Sequence, residues 1–324
     1  MPAKAAIPGT ISTPYGNGRS AVARSGAALG VVALVFAAAG TRAQELEPRS
    51  YTNTPVGLNF LLVGYGYTEG NVGFDPSVPI TDAHLHTNTT AFAYSRSLGV
   101  WGNSAKFAVL LPYTWLAGSA LVAGEPKERS VSGFGDPRFR FSMNFYGAPA
   151  LSVKEFADYQ QDLIIGASLE VAAPLGQYDP SKLVNIGANR WAFKSELGIS
   201  KTWDSWTVEV APSATFYTDN KDFLNGGTVS QDPLYAVQGH IIHGFRNGVW
   251  LALDGTFYTG GRTTVNGVKQ NNLQSNTRLG LTVALPVDRY HSVKIYASTG
   301  VSSRTGSDFN GIGIAWQVRW GEGF

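Results

Sequence analysis

The chain has 324 residues, of which 15% are charged, with 38 glycines, many aromatics and no cysteine. A mean hydropathy of −0.05 is too apolar for disorder and too evenly mixed for a bundle of membrane helices. Without cysteine there are no disulfides, thiol nucleophiles or zinc–thiolate centres, and a formal net charge of +2 gives no basic face for nucleic acid.

That charge comes from the N-terminus. Lys4, Arg19 and Arg24 precede an apolar run from Ala27 to Ala39, followed by Gly40-Thr41-Arg42-Ala43. A basic region, a short apolar core and a small-residue end form a secretory signal, and the run is too short to cross a bilayer as a helix. Residues 1–43 are therefore expected to be a signal peptide cleaved after Ala43, with the true translation start left open. Their removal leaves 21 basic and 23 acidic residues, a net charge of −2. Residues 44–57 are expected to form a periplasmic N-terminal segment, and residues 58–324 the folded body.

From Leu58 onward the sequence reads as strand after strand. About a dozen segments fall at 58–68, 84–98, 104–118, 134–147, 162–173, 190–202, 205–218, 233–245, 249–260, 272–286, 291–302 and 309–322. Each is near the roughly 9–11 residues that a tilted strand needs to cross a bilayer. Apolar residues occupy every second position: Leu279, Leu281, Val283 and Leu285, for example, alternate with Arg278, Gly280, Thr282 and Ala284. Side chains of a strand point to opposite faces, and several segments alternate cleanly between an apolar and a small or polar face. The connections alternate between short turns at 98–103, 203–205, 246–248 and 286–290 and longer polar stretches at 69–83, 119–133, 174–189, 219–232 and 261–271. Short periplasmic turns and long external loops are the pattern of outer-membrane barrels. The longer connection at 148–161 contains Ser152-Val153-Lys154-Glu155, a capping box that predicts a short helix.

The last segment closes the argument. Ile312, Ile314, Trp316, Val318 and Trp320 share one face, and the chain ends on Phe324. Such a row would aggregate in water but suits lipid, and it is expected to pair with 58–68. The fold class is thus an all-β, transmembrane up-and-down antiparallel barrel of about 12 strands with one short periplasmic helix, placed in the bacterial outer membrane. Trp101, Trp203, Trp206, Trp250 and Trp320 fall near the periplasmic ends and Trp115 and Trp191 near the outer ends, as interfacial rings do.

The alternation also assigns an inward-facing set: Lys106, Arg138, Arg140, Glu170, Lys194, Glu196, Glu209, His240, Asp254, Arg278, Lys294 and Arg319. A cation facing mid-bilayer lipid costs about 2–4 kcal/mol, so these groups must line the lumen. They are candidates for a solute pathway, or equally for a ladder of ion pairs that plugs the barrel. Other constellations lead nowhere. Asp82, His84 and His86 alternate along one face, but two imidazoles at a strand edge are more simply exposed than metal-binding. Gly133-Phe134-Gly135-Asp136-Pro137 is followed by a strand, where a nucleotide fingerprint needs a helix, so it reads as a bend at the barrel rim. His240 with Ser213 or Thr215 would be the best case for a hydrolase, but no compact Ser–His pattern exists. No catalytic residue, metal or cofactor is assigned.

Several stretches together resemble a known family: Glu45 to Tyr51 with Pro55 to Phe60, Leu111-Pro112-Tyr113, Gly133 to Pro137, and Gly147 to Leu151. In order and spacing they are similar to the meta-pathway phenol-degradation family of bacterial outer-membrane transporters, over about residues 45–324. The resemblance implies a transmembrane barrel for passive uptake of small, aromatic or apolar compounds. It supplies no catalytic set, and the chain is not expected to be an enzyme. The alternatives are a structural barrel plugged by ion pairs and, more remotely, an outer-membrane hydrolase. Expected partners are outer-membrane lipid, a small-molecule solute and the barrel-assembly machinery. That machinery would recognise the strand ending at Phe324, although Glu322 departs from its usual apolar pattern.

Overall fold

In the computed structural model, residues 47–71, 80–122, 124–305, 308–321 and 323 are described. The expected signal at 1–43, Glu322 and Phe324 lie outside them. In chain order the elements are β1 (Leu58–Asn71), β2 (Ile80–Val100), β3 (Asn103–Val122), β4 (Glu125–Phe134), β5 (Arg138–Tyr146), α1 (Val153–Phe156), β6 (Leu163–Ala172), β7 (Ala192–Trp203), β8 (Trp206–Tyr217), β9 (Asn220–Phe223), β10 (Gly227–Gln231), β11 (Leu234–Gly244), β12 (Trp250–Gly260), β13 (Thr263–Val265), β14 (Val268–Lys269), β15 (Gln274–Pro286), β16 (His291–Ser302) and β17 (Asp308–Gly321).

β1 pairs antiparallel with β2 on one side and β17 on the other, which closes the sheet. The closing register runs from Leu58 opposite Gly321 to Asn71 opposite Asp308. β4 and β5 share one place in the wall. β4 pairs with the outer half of β3 and β5 with its inner half, and Gly135-Asp136-Pro137 interrupts them. The result is a closed antiparallel barrel of 12 strands. Closure joins the wall strands into a ring, the condition for a sheet in lipid; among the described residues β4 pairs with β3 alone.

The predicted alternation is seen in burial. On β12, Leu251, Leu253 and Phe257 are exposed, while Ala252, Asp254, Thr256 and Tyr258 are buried. On β17, Ile312, Ile314, Trp316 and Trp320 are exposed and Ala315 and Gln317 buried. The apolar rows therefore form an outer belt, and the polar rows the interior. This is the arrangement of an outer-membrane barrel, and it places the chain in that membrane. Leu281, midway along β15, is 47% exposed on this belt. Replacing it with Arg is expected to cost about 2–4 kcal/mol, measured by urea titration of folding into lipid vesicles; a cost near zero would remove Leu281 from the lipid face.

Local chemistry explains the turns. Trp101 and Gly102 connect β2 to β3 as a two-residue hairpin, both at positive φ (50° and 80°), the backbone such a tight turn requires. α1 starts at the expected capping box: the Ser152 side chain accepts from the Glu155 N–H, and the Glu155 carboxylate accepts from the Ser152 N–H at 2.8 Å. The Ser152 N–H and the Ser152 hydroxyl, both donating to it, hold the Glu155 carboxyl below its ordinary pKa.

The structure corrects the sequence reading in four places. The stretch at 119–133 is a hairpin, with β3 running to Val122 and β4 starting at Glu125. β2 and β3, at 21 and 20 residues, are far longer than a crossing needs; the polar run Glu125 to Ser130 after β3 made its outer part resemble loop. The loops at 219–232 and 261–271 hold β9, β10, β13 and β14, which form a separate small sheet. Trp250 is not at the lipid interface: its even position on β12 turns it inward, where it is 2% exposed with the Arg49 guanidinium 5.5 Å above its ring. Finally, residues 47–57, expected in the periplasm, lie inside the barrel.

Candidate functional site

The lumen is occupied by the segment Glu47–Gly57. It enters at the short-turn end, where Val56 N–H donates to the Leu151 carbonyl at 2.8 Å and Gly57 N–H to that of Ser97 at 3.1 Å. The Ser97 hydroxyl donates to the Pro55 carbonyl at 2.5 Å. Further in, Tyr51, Thr52, Asn53 and Thr54 are all buried. Unlike a strand, this stretch has no ladder partner. Its backbone polar groups must be met by side chains, and the wall supplies them. Lys106 Nζ donates to the carbonyls of Ser50 (3.0 Å) and Thr52 (3.1 Å). Asn144 Nδ2 donates to Tyr51 O at 3.0 Å. The Arg49 N–H donates to Glu209 Oε2 at 2.6 Å, and the Glu47 N–H to Gln238 Oε1 at 3.4 Å.

An ion-pair network anchors the inner end. Arg140 bridges Glu47 of the segment and Glu196 of the wall, the latter through Nη2 at 2.8 Å. Lys194 Nζ holds the other Glu196 oxygen at 3.1 Å, and Gln238 Nε2 donates to it at 3.2 Å. Glu170 is buried between them, opposite Arg140 on one side and Lys194 on the other. Pairing and hydrogen bonding on this scale are what make so many buried charges tolerable.

Six of the predicted lumen residues thus converge on the segment: Lys106, Arg140, Glu170, Lys194, Glu196 and Glu209. The other six lie apart, Lys294 among them, buried on β16. Asp254 accepts from Thr282 Oγ1 and lies 2.7 Å from His240 Nδ1. Arg278 stands near the outer mouth, where Nη1 donates to the Phe309 carbonyl at 3.0 Å and the guanidinium lies 3.8 Å over the Phe309 ring. Arg138 is buried at the outer end of β5. Arg319 is half-buried at the short-turn rim, its Nε donating to the Arg289 carbonyl at 2.8 Å. His240 bonds to Asp254, and among the described residues Thr215 Oγ1 has no hydrogen-bond partner. His84 and His86 are exposed.

The interior is two-sided. Most charged groups crowd the wall from β5 to β12, with Lys106 of β3 and Lys294 of β16 buried beyond it. Across the lumen, β1, β2, β3, β16 and β17 present Leu58, Phe60, Leu62, Ala93, Leu110, Tyr296 and Ala315 as one apolar cluster. Threonine pairs follow, Thr89 with Thr114 (2.9 Å) and Thr68 with Thr87 (2.6 Å). Leu85, Leu116 and Phe309 complete the row at the outer mouth, against Val184 of the 173–191 loop. Asp136 in the β4–β5 break fixes that loop over the mouth, its two oxygens accepting from Gly176 N and Ala188 N at 3.0 Å each.

Sequence reasoning missed Glu47, Tyr51 and Gln238, and two glycines that serve the segment. Gly166 and Gly198 are ladder partners on β6 and β7. The Tyr51 ring lies over both. A Cβ on Gly198 would overlap the ring, and one on Gly166 would come within 2.7 Å of it.

Among solved structures, a COG4313 outer membrane channel from Pseudomonas putida F1 superposes with a TM-score of 0.71 at 20% identity, covering 85% of this chain and 100% of that one. The two share a fold. More distant are the beta domain of the Bordetella autotransporter BrkA (TM-score 0.46, 9% identity, 82% and 100% covered) and a Pseudomonas aeruginosa FadL homologue (0.41, 9%, 90% and 99%). Curated proteins gave no match. Residues 63–318, most of the barrel just described, match the family described as "Putative MetA-pathway of phenol degradation", and the chain belongs to that family.

Proposed function

We propose that the protein is an outer-membrane channel for passive uptake of small aromatic or apolar compounds, gated by its own residues 47–57. The observation that carries this reading is how the lumen is closed. The occluding segment is irregular and held by side-chain contacts, mostly on the charged sector, so it can leave without breaking a strand pair. Opposite it, the strands β1 to β3, β16 and β17 carry two apolar clusters joined by threonine pairs, and these suit a solute with little polarity. A barrel of 12 strands also stands between eight, which side chains fill, and sixteen, which leave a water channel. The charged sector would set selectivity by its field.

The Arg140–Glu47–Glu196–Lys194 network favours a second reading, a structural barrel sealed by ion pairs. Conductance across planar bilayers and flux of substituted benzenes into liposomes, both with the purified barrel, separate the two. Flux above that of protein-free liposomes is expected. Its absence, both in the intact barrel and in one lacking the segment, would overturn the channel.

A further inference from the structure

A tyrosine side chain is a phenol carrying one para substituent, and Tyr51 is bound in the lumen as a ligand would be. Its ring lies on the backbone of Gly166 and Gly198, where a side chain at either position would displace it. Its hydroxyl donates to Glu196 Oε1 at 3.0 Å and sits 3.3 Å from Ser168 Oγ. Glu196 is itself fixed, with Arg140 on one oxygen and Lys194 on the other. We propose that the Gly166–Gly198 slot is a binding site for phenols, filled in the closed barrel by the chain's own Tyr51.

Three physical points support this. First, paired glycines weaken a sheet and are found where something must approach the backbone closely. Second, an anchor for a plug needs only an apolar ring; a buried hydroxyl adds a cost unless acceptors await it, and here the wall supplies a charged acceptor and a second oxygen. Third, the occupant is separable. Elsewhere in the lumen the Tyr296 ring covers Gly313, but those two residues are ladder partners on neighbouring strands and cannot part while the barrel stands. Tyr51 belongs to the irregular segment, so its departure leaves a preformed slot with its acceptors in place. The para carbon of the ring joins the segment backbone, which lies in the lumen. A bound phenol would therefore tolerate a para substituent, and a benzene lacking the hydroxyl would lose the contacts to Glu196 and Ser168.

As a binding site the slot stands without the channel reading; as a station on an uptake route it rests on it. The test is a titration of 4-fluorophenol, followed by fluorine NMR, against the Tyr51→Gly barrel in detergent, with heat-modifiable electrophoresis to verify the barrel. Saturable binding is expected, about tenfold or more tighter than that of fluorobenzene, the difference a charge-assisted hydrogen bond makes. A second change, Gly198→Val or Gly166→Val, should abolish it by filling the slot. Wild-type protein should bind weakly, because Tyr51 competes. Binding that is unaffected by either valine, or that does not distinguish the phenol from fluorobenzene, would overturn the site whatever the flux measurements give. Saturable binding without flux would retain the site and overturn the channel.

Discussion

Deleting Glu47 to Thr54 is expected to turn a nearly silent barrel into a conducting one. The wall needs none of these residues, since every barrel strand starts at or after Leu58 and the closing register of β1 with β17 is complete without them. What the deletion removes is the occupant of the lumen. A two-state gate with a gap of a few kcal/mol keeps its minor form at about 0.1–10%, so the time-averaged flux should rise by about ten- to a thousandfold. Single-channel recording distinguishes this from leakage, because a freed lumen gives a stable open level and damaged lipid gives noise. Conductance unchanged from wild type would mean that the 173–191 loop, not the segment, closes the pore.

Arg140→Ala should release the same segment without shortening it. Removing one partner of a buried pair costs about 3–5 kcal/mol, because the other charge is left buried. Two carboxylates lose Arg140 here, and their fates differ. Glu196 keeps Lys194 and Gln238. Glu47 is on the irregular segment and would reach water if that segment withdrew. The penalty is therefore relieved by opening the gate, not by unfolding the barrel. The expected results are protease cleavage within 47–57, higher conductance and near-unchanged heat-modifiable migration. Changing both partners, Arg140→Met with Glu47→Leu, should reseal the lumen, since replacing a buried pair by apolar groups of similar shape is close to neutral. Loss of the barrel in Arg140→Ala would instead make the segment part of the structural core.

The wall was legible because its signal is local and repeated. Leu279, Leu281 and Val283 against Arg278, Gly280 and Thr282 reveal two faces within one segment, and the same rhythm in the last fifteen residues pointed to the closing strand. The short helix was legible from Ser152 and Glu155 alone. The gate was not. Glu47 to Thr54 has neither period, and polar residues without a period read as solvent-exposed chain. Its burial depends on partners such as Glu209 and Gln238, far away in sequence. Gly166 and Gly198 carry no signal of their own in the sequence; their ladder pairing under one ring gives them a purpose. The outer half of the β3–β4 hairpin packs Leu116, Ala120 and Val131 into an apolar cluster, but the polar run Glu125 to Ser130 between them made the stretch read as loop.

The placement of the segment has a consequence for biogenesis. Glu47 bonds to a residue 191 positions later in the chain, and Tyr51 to one 145 positions later. Closing loops of that size is entropically costly and slow, and the docking site does not exist until β5 to β11 stand side by side. The first described residues of the chain are therefore among the last to find their partners. If the segment docks last, a newly inserted copy is expected to be more permeable than the mature barrel, which a conductance recording during refolding into bilayers would detect.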